Sequence, residues 1–173
     1  MAIVISLNYY TPSINYPSYI ERIDSFVDER GEIWTTFKGD GKLTSINHVK
    51  VNTNARGVFR GFHTDPKTTK TCTCLVGNIV AIVIWPNNEK YETFELSSEK
   101  HSILTVPPLF FNGFVAIEDS TYMYQLSYEG EYVDTKEQKT LLLEDSCIDV
   151  KIITDLLKGH KIIRSDRDKN KYQ

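Results

Sequence analysis

Cysteines are few in this chain, and an excess of basic charge and long apolar runs are missing; each lack excludes something. The three cysteines are Cys72, Cys74 and Cys147. The odd count, with only a short uncharged run at residues 1–6 and no secretory pattern, points to reduced thiols in a cytoplasmic setting. Cys72 and Cys74 are separated by one residue, and no second Cys/His pair stands near them to complete a zinc site. They read as small strand residues. Twenty basic residues against 23 acidic ones give a net charge of −3, so there is no basic footprint for nucleic acid. A local group of cations for an anionic small molecule remains compatible with that balance. No apolar run approaches the roughly 20 residues that a membrane-spanning helix needs. Internal repeats, low-complexity tracts and linkers are also missing. The 173 residues therefore read as one domain, with an irregular N-terminal arm over about 1–25 and a charged tail over about 161–173.

What the chain does have is aromatic residues and turns. Ten Tyr and eight Phe favour strands over helices. Residues 23–26 lead into a first turn, and strands are predicted at 33–37, 46–52, 69–76, 79–85, 91–96, 102–106, 110–117, 122–128 and 139–143. They are punctuated by Asp28-Glu29-Arg30-Gly31, Lys38-Gly39-Asp40-Gly41, Gly77-Asn78, Pro86-Asn87-Asn88, Pro107-Pro108 and Glu129-Gly130. The run Ile79–Trp85 is almost continuously apolar, which suits a strand buried on both faces. From Asp149 the period changes. Ile152, Ile153, Leu156 and Leu157 fall at helical spacing, with Gly159 as the expected C-cap. Many short strands and one C-terminal helix predict an all-β sandwich or barrel.

One stretch departs from ordinary strand composition: Gly57-Val58-Phe59-Arg60-Gly61-Phe62-His63-Thr64-Asp65, followed by Lys70. It sets two glycines, a cation and a histidine among bulky apolar residues. Glycine lets backbones turn or approach closely, which can bring a guanidinium and an imidazole into one cavity. A lone strand histidine is more often structural than functional. A metal-binding jelly roll would want a second histidine two positions on, where Asp65 stands, and no histidine follows until His101, so a metal is disfavoured. Arg60, between Phe59 and Gly61-Phe62, is expected to lie near the core and to need a carboxylate or phosphate partner.

These residues resemble the dTDP-4-dehydrorhamnose 3,5-epimerase family. The likeness runs from about Phe26 to Asp168. It takes in Asp28-Glu29-Arg30-Gly31, the Gly57–His63 stretch, Lys70, Gly77, Pro107 through Phe114, Glu144-Asp145 and Ser165-Asp166-Arg167-Asp168. Arg30-Gly31-Glu32-Ile33-Trp34-Thr35 and Gly130-Glu131-Tyr132-Val133-Asp134 are most similar to a branch acting on nucleotide-linked 4-keto heptoses in bacterial capsule and related lipopolysaccharide synthesis. The resemblance implies a double-stranded β-helix (a cupin jelly roll) with a short C-terminal helix. It implies a cofactor-independent epimerase of a nucleotide-diphosphate-linked 4-keto-6-deoxy sugar or 4-keto heptose, inverting C3 and/or C5, working as a homodimer without nucleic acid or membrane. His63 would be the base, Asp168 its orienting carboxylate, Tyr132 the acid on the opposite face and Lys70 the cation at the enolate oxygen. Arg60, with Arg30 of a neighbouring subunit, would hold the diphosphate or base. His48, Lys50 and Asn112 would contact substrate.

The chemistry is coherent in its own right. Removing a proton next to a ketone needs a base of near-neutral pKa and help for the enolate oxygen. Three residues depart from the family pattern. Asn112 stands where the family has a histidine, Trp85 replaces an acidic residue, and Phe111 enlarges a small position, the last two expected near the cavity. The departures keep two alternatives in view: a 3,4-ketoisomerase on the same scaffold, and a sugar-nucleotide-binding cupin with impaired catalysis.

Overall fold

The computed structural model describes residues 3–4, 19–22, 25–28, 31–36, 46–131, 138–166 and 168–169. Three short strands, β1 (Ile3–Val4), β3 (Ser25–Asp28) and β4 (Gly31–Trp34), form a small antiparallel sheet. A further short strand, β2 (Tyr19–Arg22), joins the main body. The body follows as β5 (Ile46–Asn54), β6 (Phe59–Thr64), β7 (Thr69–Val76), β8 (Asn78–Ile84), β9 (Tyr91–Ser97), β10 (Ser102–Val106), β11 (Phe111–Ala116), β12 (Ser120–Ser127) and β13 (Lys139–Thr140).

Two five-stranded sheets result, ordered β2-β10-β7-β12-β5 and β13-β6-β11-β8-β9. The antiparallel pairs β8–β9, β7–β10, β6–β11 and β5–β12 are nested, each enclosing the one before. Successive pairs fall in alternate sheets. This is a long hairpin wound into two layers, the double-stranded β-helix of a jelly roll.

Residue patterning explains the layers. Between the sheets lies a core of Cys72, Cys74, Ile79, Ala81, Val83, Leu96, Leu104, Phe114 and Tyr122, among others. On the outer face of the second sheet, Phe59, Phe62, Val80, Ile82, Ile84 and Val115 pack against Leu143, Ile148, Ile153 and Leu157. Alternate residues of β8 thus enter two different cores, so its whole apolar run is buried. The expected two-faced strand is present, one residue earlier than predicted.

The second core is closed by helix α1 (Val150–Leu157). Asp149 caps its start, accepting from Lys151 N at 2.8 Å. Two left-handed residues end it, the C-cap Lys158 (φ 50°) and the expected Gly159 (φ 83°). Lys158 N donates to Asp155 O at 3.1 Å and closes the last turn. The predicted strand 139–143 is shorter than expected. After Leu141 the chain turns into a 3-10 segment, Leu143–Asp145, that buries Leu143 under the sheet.

Candidate active site

The opening of the site is a bulge. Strict alternation would put Arg60 and His63, three apart, on opposite faces of β6. In the β6–β11 ladder, however, Phe114 pairs with Arg60 and Asn112 with His63, so three steps on β6 match two on β11. The extra residue restores both side chains to the inner face. Phe59 and Phe62 are restored together to the outer core, where their rings meet edge-on at 5.2 Å. The crossing depends on two glycines. A Cβ on Gly61 would lie 2.6 Å from Gly113 Cα, and one on Gly113 would lie 2.6 Å from Arg60 O.

The third glycine of the motif region admits the tail. A Cβ on Gly57 would sit 2.5 Å from Lys161 O. Without it, Ile163 lies beside Val58 and exchanges backbone bonds with both neighbours: Ile163 N to Gly57 O at 2.8 Å, and Phe59 N to Ile163 O at 2.9 Å. Arg164 pairs with Glu144 at 2.6 Å. Held this way, the charged tail carries Asp168 to His63. Asp168 is 4% exposed.

His63 Nε2 lies 2.9 Å from Asp168 Oδ1. A carboxylate only accepts, so that nitrogen carries the ring proton and the lone pair stays on the other one. Nδ1 is 3.2 Å from Thr140 Oγ1, a hydroxyl that can donate to the bare nitrogen or accept from the protonated one. Asp168 Oδ2 accepts from Ser165 Oγ at 2.8 Å. Burial alone would raise the Asp168 pKa, but the hydrogen bonds from His63, Ser165 and the Gly61 N–H outweigh it, and the carboxyl is held below its usual range.

Two adjoining cavities of about 250 and 500 Å³ open in front of this pair, and both are lined by Lys50, His63, Lys70, Asn112 and Tyr124. The larger also takes in Asn52, Arg60, Ser165 and Asp168. The smaller extends past Thr68, Pro107 and Phe110. Lys70 Nζ donates to Asn112 Oδ1 at 2.8 Å and stands 4.6 Å from the centre of the Tyr124 ring. Burial pushes Lys70 below the usual lysine range. Lys50 adds to that effect, while Cys72 and Asp65 oppose it.

The structure brings His63, Asp168, Lys70, Lys50, Asn112 and Arg60 to one cleft. Arg60 differs from expectation in being exposed rather than buried. Its Nε donates to the buried Asn54 Oδ1 at 2.9 Å, an amide rather than a carboxylate, because the bulge directs it into the open larger cavity. His48 lines neither cavity. It stacks on Tyr128, with Nδ1 3.0 Å from the hydroxyl. Asn112 is in the cleft, but its amide bonds protein groups on both sides. Tyr132 and Arg30 fall outside the described residues.

Of the two residues expected near the cavity, Trp85 is beside it and Phe111 is turned away from it. Trp85 meets Phe110 edge-on at 5.6 Å and lines neither lobe. Phe111 points to the opposite face, against the core under α1. For Phe111 this follows from strand parity, since the inward positions of β11 are Asn112 and Phe114; Trp85 lies just past the end of β8. Asp65, where a metal-binding jelly roll would want a histidine, accepts from Lys67 N and Thr68 N and closes the turn before β7. Among the described residues no three His, Cys, Asp or Glu side chains are grouped to hold a metal, and no helix is long and apolar enough to cross a membrane. Tyr124 and Thr140 were not anticipated. Tyr124 could have been found from its two-residue spacing to Tyr122 on one strand face, whereas Thr140 carries no sequence signal of its own.

The sequence profile of the dTDP-4-dehydrorhamnose 3,5-epimerase family matches residues 17–173. Among solved structures, the Mycobacterium tuberculosis RmlC epimerase is 21% identical, with 93% of this chain and 86% of that one covered at a TM-score of 0.79. The dTDP-4-dehydrorhamnose 3,5-epimerase of Elizabethkingia anophelis is also 21% identical, covering 98% and 94% at a TM-score of 0.75. A double mutant of ChmJ, a 3'-monoepimerase from Streptomyces bikiniensis solved with dTDP, is 17% identical and covers 94% and 85% at a TM-score of 0.77. No curated protein matches the sequence. The chain belongs to the dTDP-4-dehydrorhamnose 3,5-epimerase family, with the jelly-roll fold of its cupin-like structural neighbours.

Proposed function

We propose that this single domain is a cofactor-independent epimerase of a nucleotide-diphosphate-linked 4-keto sugar, inverting C3 and/or C5. The observation that carries the reading is the half-buried His63, 2.9 Å from the buried Asp168 and facing a cleft that also holds Lys70. A ketone seated between them has a base on one side and a cation at its oxygen. His63, its ring oriented by Asp168, takes the proton from the adjacent carbon. The electrons of that C–H bond move to the carbonyl oxygen, where the Lys70 ammonium stabilises the enolate. Return of a proton to the opposite face inverts the centre, and Tyr132 is the donor we assign. Arg60 and Lys50 supply the positive charge for a diphosphate in the larger cavity.

The substrate we favour is a 4-keto-6-deoxy sugar or a 4-keto heptose, made for a bacterial surface polysaccharide. Two neighbours support the sugar class: ChmJ was solved with dTDP-quinovose, and the Legionella pneumophila enzyme with dTDP-4-keto-L-rhamnose. We further propose a cytoplasmic homodimer in which the N-terminal arm brings Arg30 to the partner's cleft. The exposed Val49 and Val51 on the sheet-edge strand β5 would be covered there.

The test is incubation in D₂O with GDP-, dTDP-, CDP- and UDP-linked 4-keto sugars. Deuterium is counted by mass spectrometry and configuration read by NMR. Uptake at one or two carbons with inversion is expected, and Tyr132→Phe should slow inversion more than proton loss. Relocation of the carbonyl would identify a ketoisomerase instead, and no uptake with any of these compounds would leave only a binding protein.

A further inference from the structure

Lys70 faces the base, and its aim must come from its partners. An ammonium is a point charge on a flexible four-carbon stem, with three donors and no preferred direction. The Tyr124 and Tyr122 rings, with centres 4.6 and 5.7 Å away, attract it without fixing a direction. Its one side-chain hydrogen bond among the described residues is the 2.8 Å bond to Asn112 Oδ1.

Asn112 is itself fixed. Its Nδ2 donates to His63 O at 2.9 Å and, more weakly, to Phe110 O at 3.5 Å. The amide can be placed only one way, because turning it over would set N–H groups against the ammonium and two oxygens against each other. The bulged ladder puts Asn112 directly opposite His63. His63 and Lys70 stand on different sheets, on β6 and β7. The Asn112 side chain is therefore a polar link across the sandwich, from the backbone of the base to the cation.

We propose that Asn112 is a positioning residue that aims the Lys70 ammonium at the space in front of His63, rather than a direct ligand of the substrate. The groups around Lys70 make this testable. Cys72 lies on its own strand, Lys50 on β5, Asp65 in the turn after β6, Tyr122 and Tyr124 on β12, and His63 and Asp168 across the cleft. Asn112 is the uncharged acceptor in that set. Removing it withdraws support from the charged amine, and a carboxylate in its place adds support, so two substitutions move the lysine in opposite directions.

The experiment follows the Lys70 ¹³Cε resonance, assigned with Lys70→Arg, through a pH titration of the whole chain. Asn112→Ala should lower the Lys70 midpoint and Asn112→Asp should raise it. Midpoints that stay put, or that move the same way, overturn the proposal. If the Asp variant does not fold, an unchanged midpoint in Asn112→Ala is sufficient to overturn it. This reading needs no substrate, so it stands or fails separately from the epimerase assignment. Only the kinetic consequence rests on that assignment: Asn112→Ala should lower kcat about 100-fold with KM little changed, as misplacement of a catalytic group does. A rise in KM alone would make Asn112 a substrate ligand and would refute the positioning role.

Discussion

Replacing Asp168 by Asn keeps the shape of the pair and removes its charge. In the native protein, Asp168 is buried and sits 2.9 Å from the ring nitrogen of His63. When His63 takes a proton, the imidazolium gains a carboxylate neighbour. At a charge separation of about 4 Å and an effective dielectric near 20, that attraction is about 4 kcal/mol. Since about 1.4 kcal/mol is tenfold in rate, the variant should exchange substrate protons about 1000-fold more slowly. A second effect acts in the same direction. The Asn amide can present N–H to the ring and stabilise the tautomer with its lone pair on the wrong nitrogen. The assay is the initial rate of deuterium uptake into a 4-keto sugar nucleotide, with circular dichroism and a thermal melt to confirm folding. A folded Asp168→Asn protein that exchanges at the wild-type rate would refute the reasoning, because the pair would then have no part in proton removal.

Three further outcomes follow from the same geometry. Arg60→Ala should raise KM by about ten- to a hundredfold with a smaller effect on kcat, the range for a lost charge-assisted hydrogen bond; steady-state kinetics checks it. Gly113→Ala should lower the melting temperature and the exchange rate together, because its Cβ would meet Arg60 O at 2.6 Å and Phe62 Cδ1 at 2.8 Å, and overpacking costs about 1–3 kcal/mol. The Asp168 carboxyl is held below its usual pKa, so its stabilising contribution is present above the unfolded-state value and is lost as pH falls through the folded one. Urea melts should show wild type more stable than Asp168→Asn at pH 7, with the gap closing in acid below the usual carboxylate range.

Much of this fold was legible because strand parity is a local property. The apolar run of β8 announced burial on both faces, and the Thr69–Val76 and Ser102–Val106 strands match their predicted bounds. The helix was legible from its change of period. The site was legible mainly through the resemblance, since no local rule puts Arg60 and His63 on one face. That required a bulge created by two glycines from different strands, Gly61 and Gly113, and pairing register is not written in either strand alone. Asp168 posed the same difficulty. In sequence it belongs to a charged tail, and its burial depends on Gly57 admitting residues 161–163 beside β6. Trp85 is near the cavity as expected, against the lining residue Phe110, whereas alternation sends Phe111 to the other core.

The central claim is that His63 removes a proton next to a ketone. The direct measurement compares wild type and His63→Ala for deuterium uptake into a 4-keto sugar nucleotide that the wild type turns over. The account predicts uptake by the wild type and none above background by a folded His63→Ala protein. Full uptake by the variant would show that another group is the base.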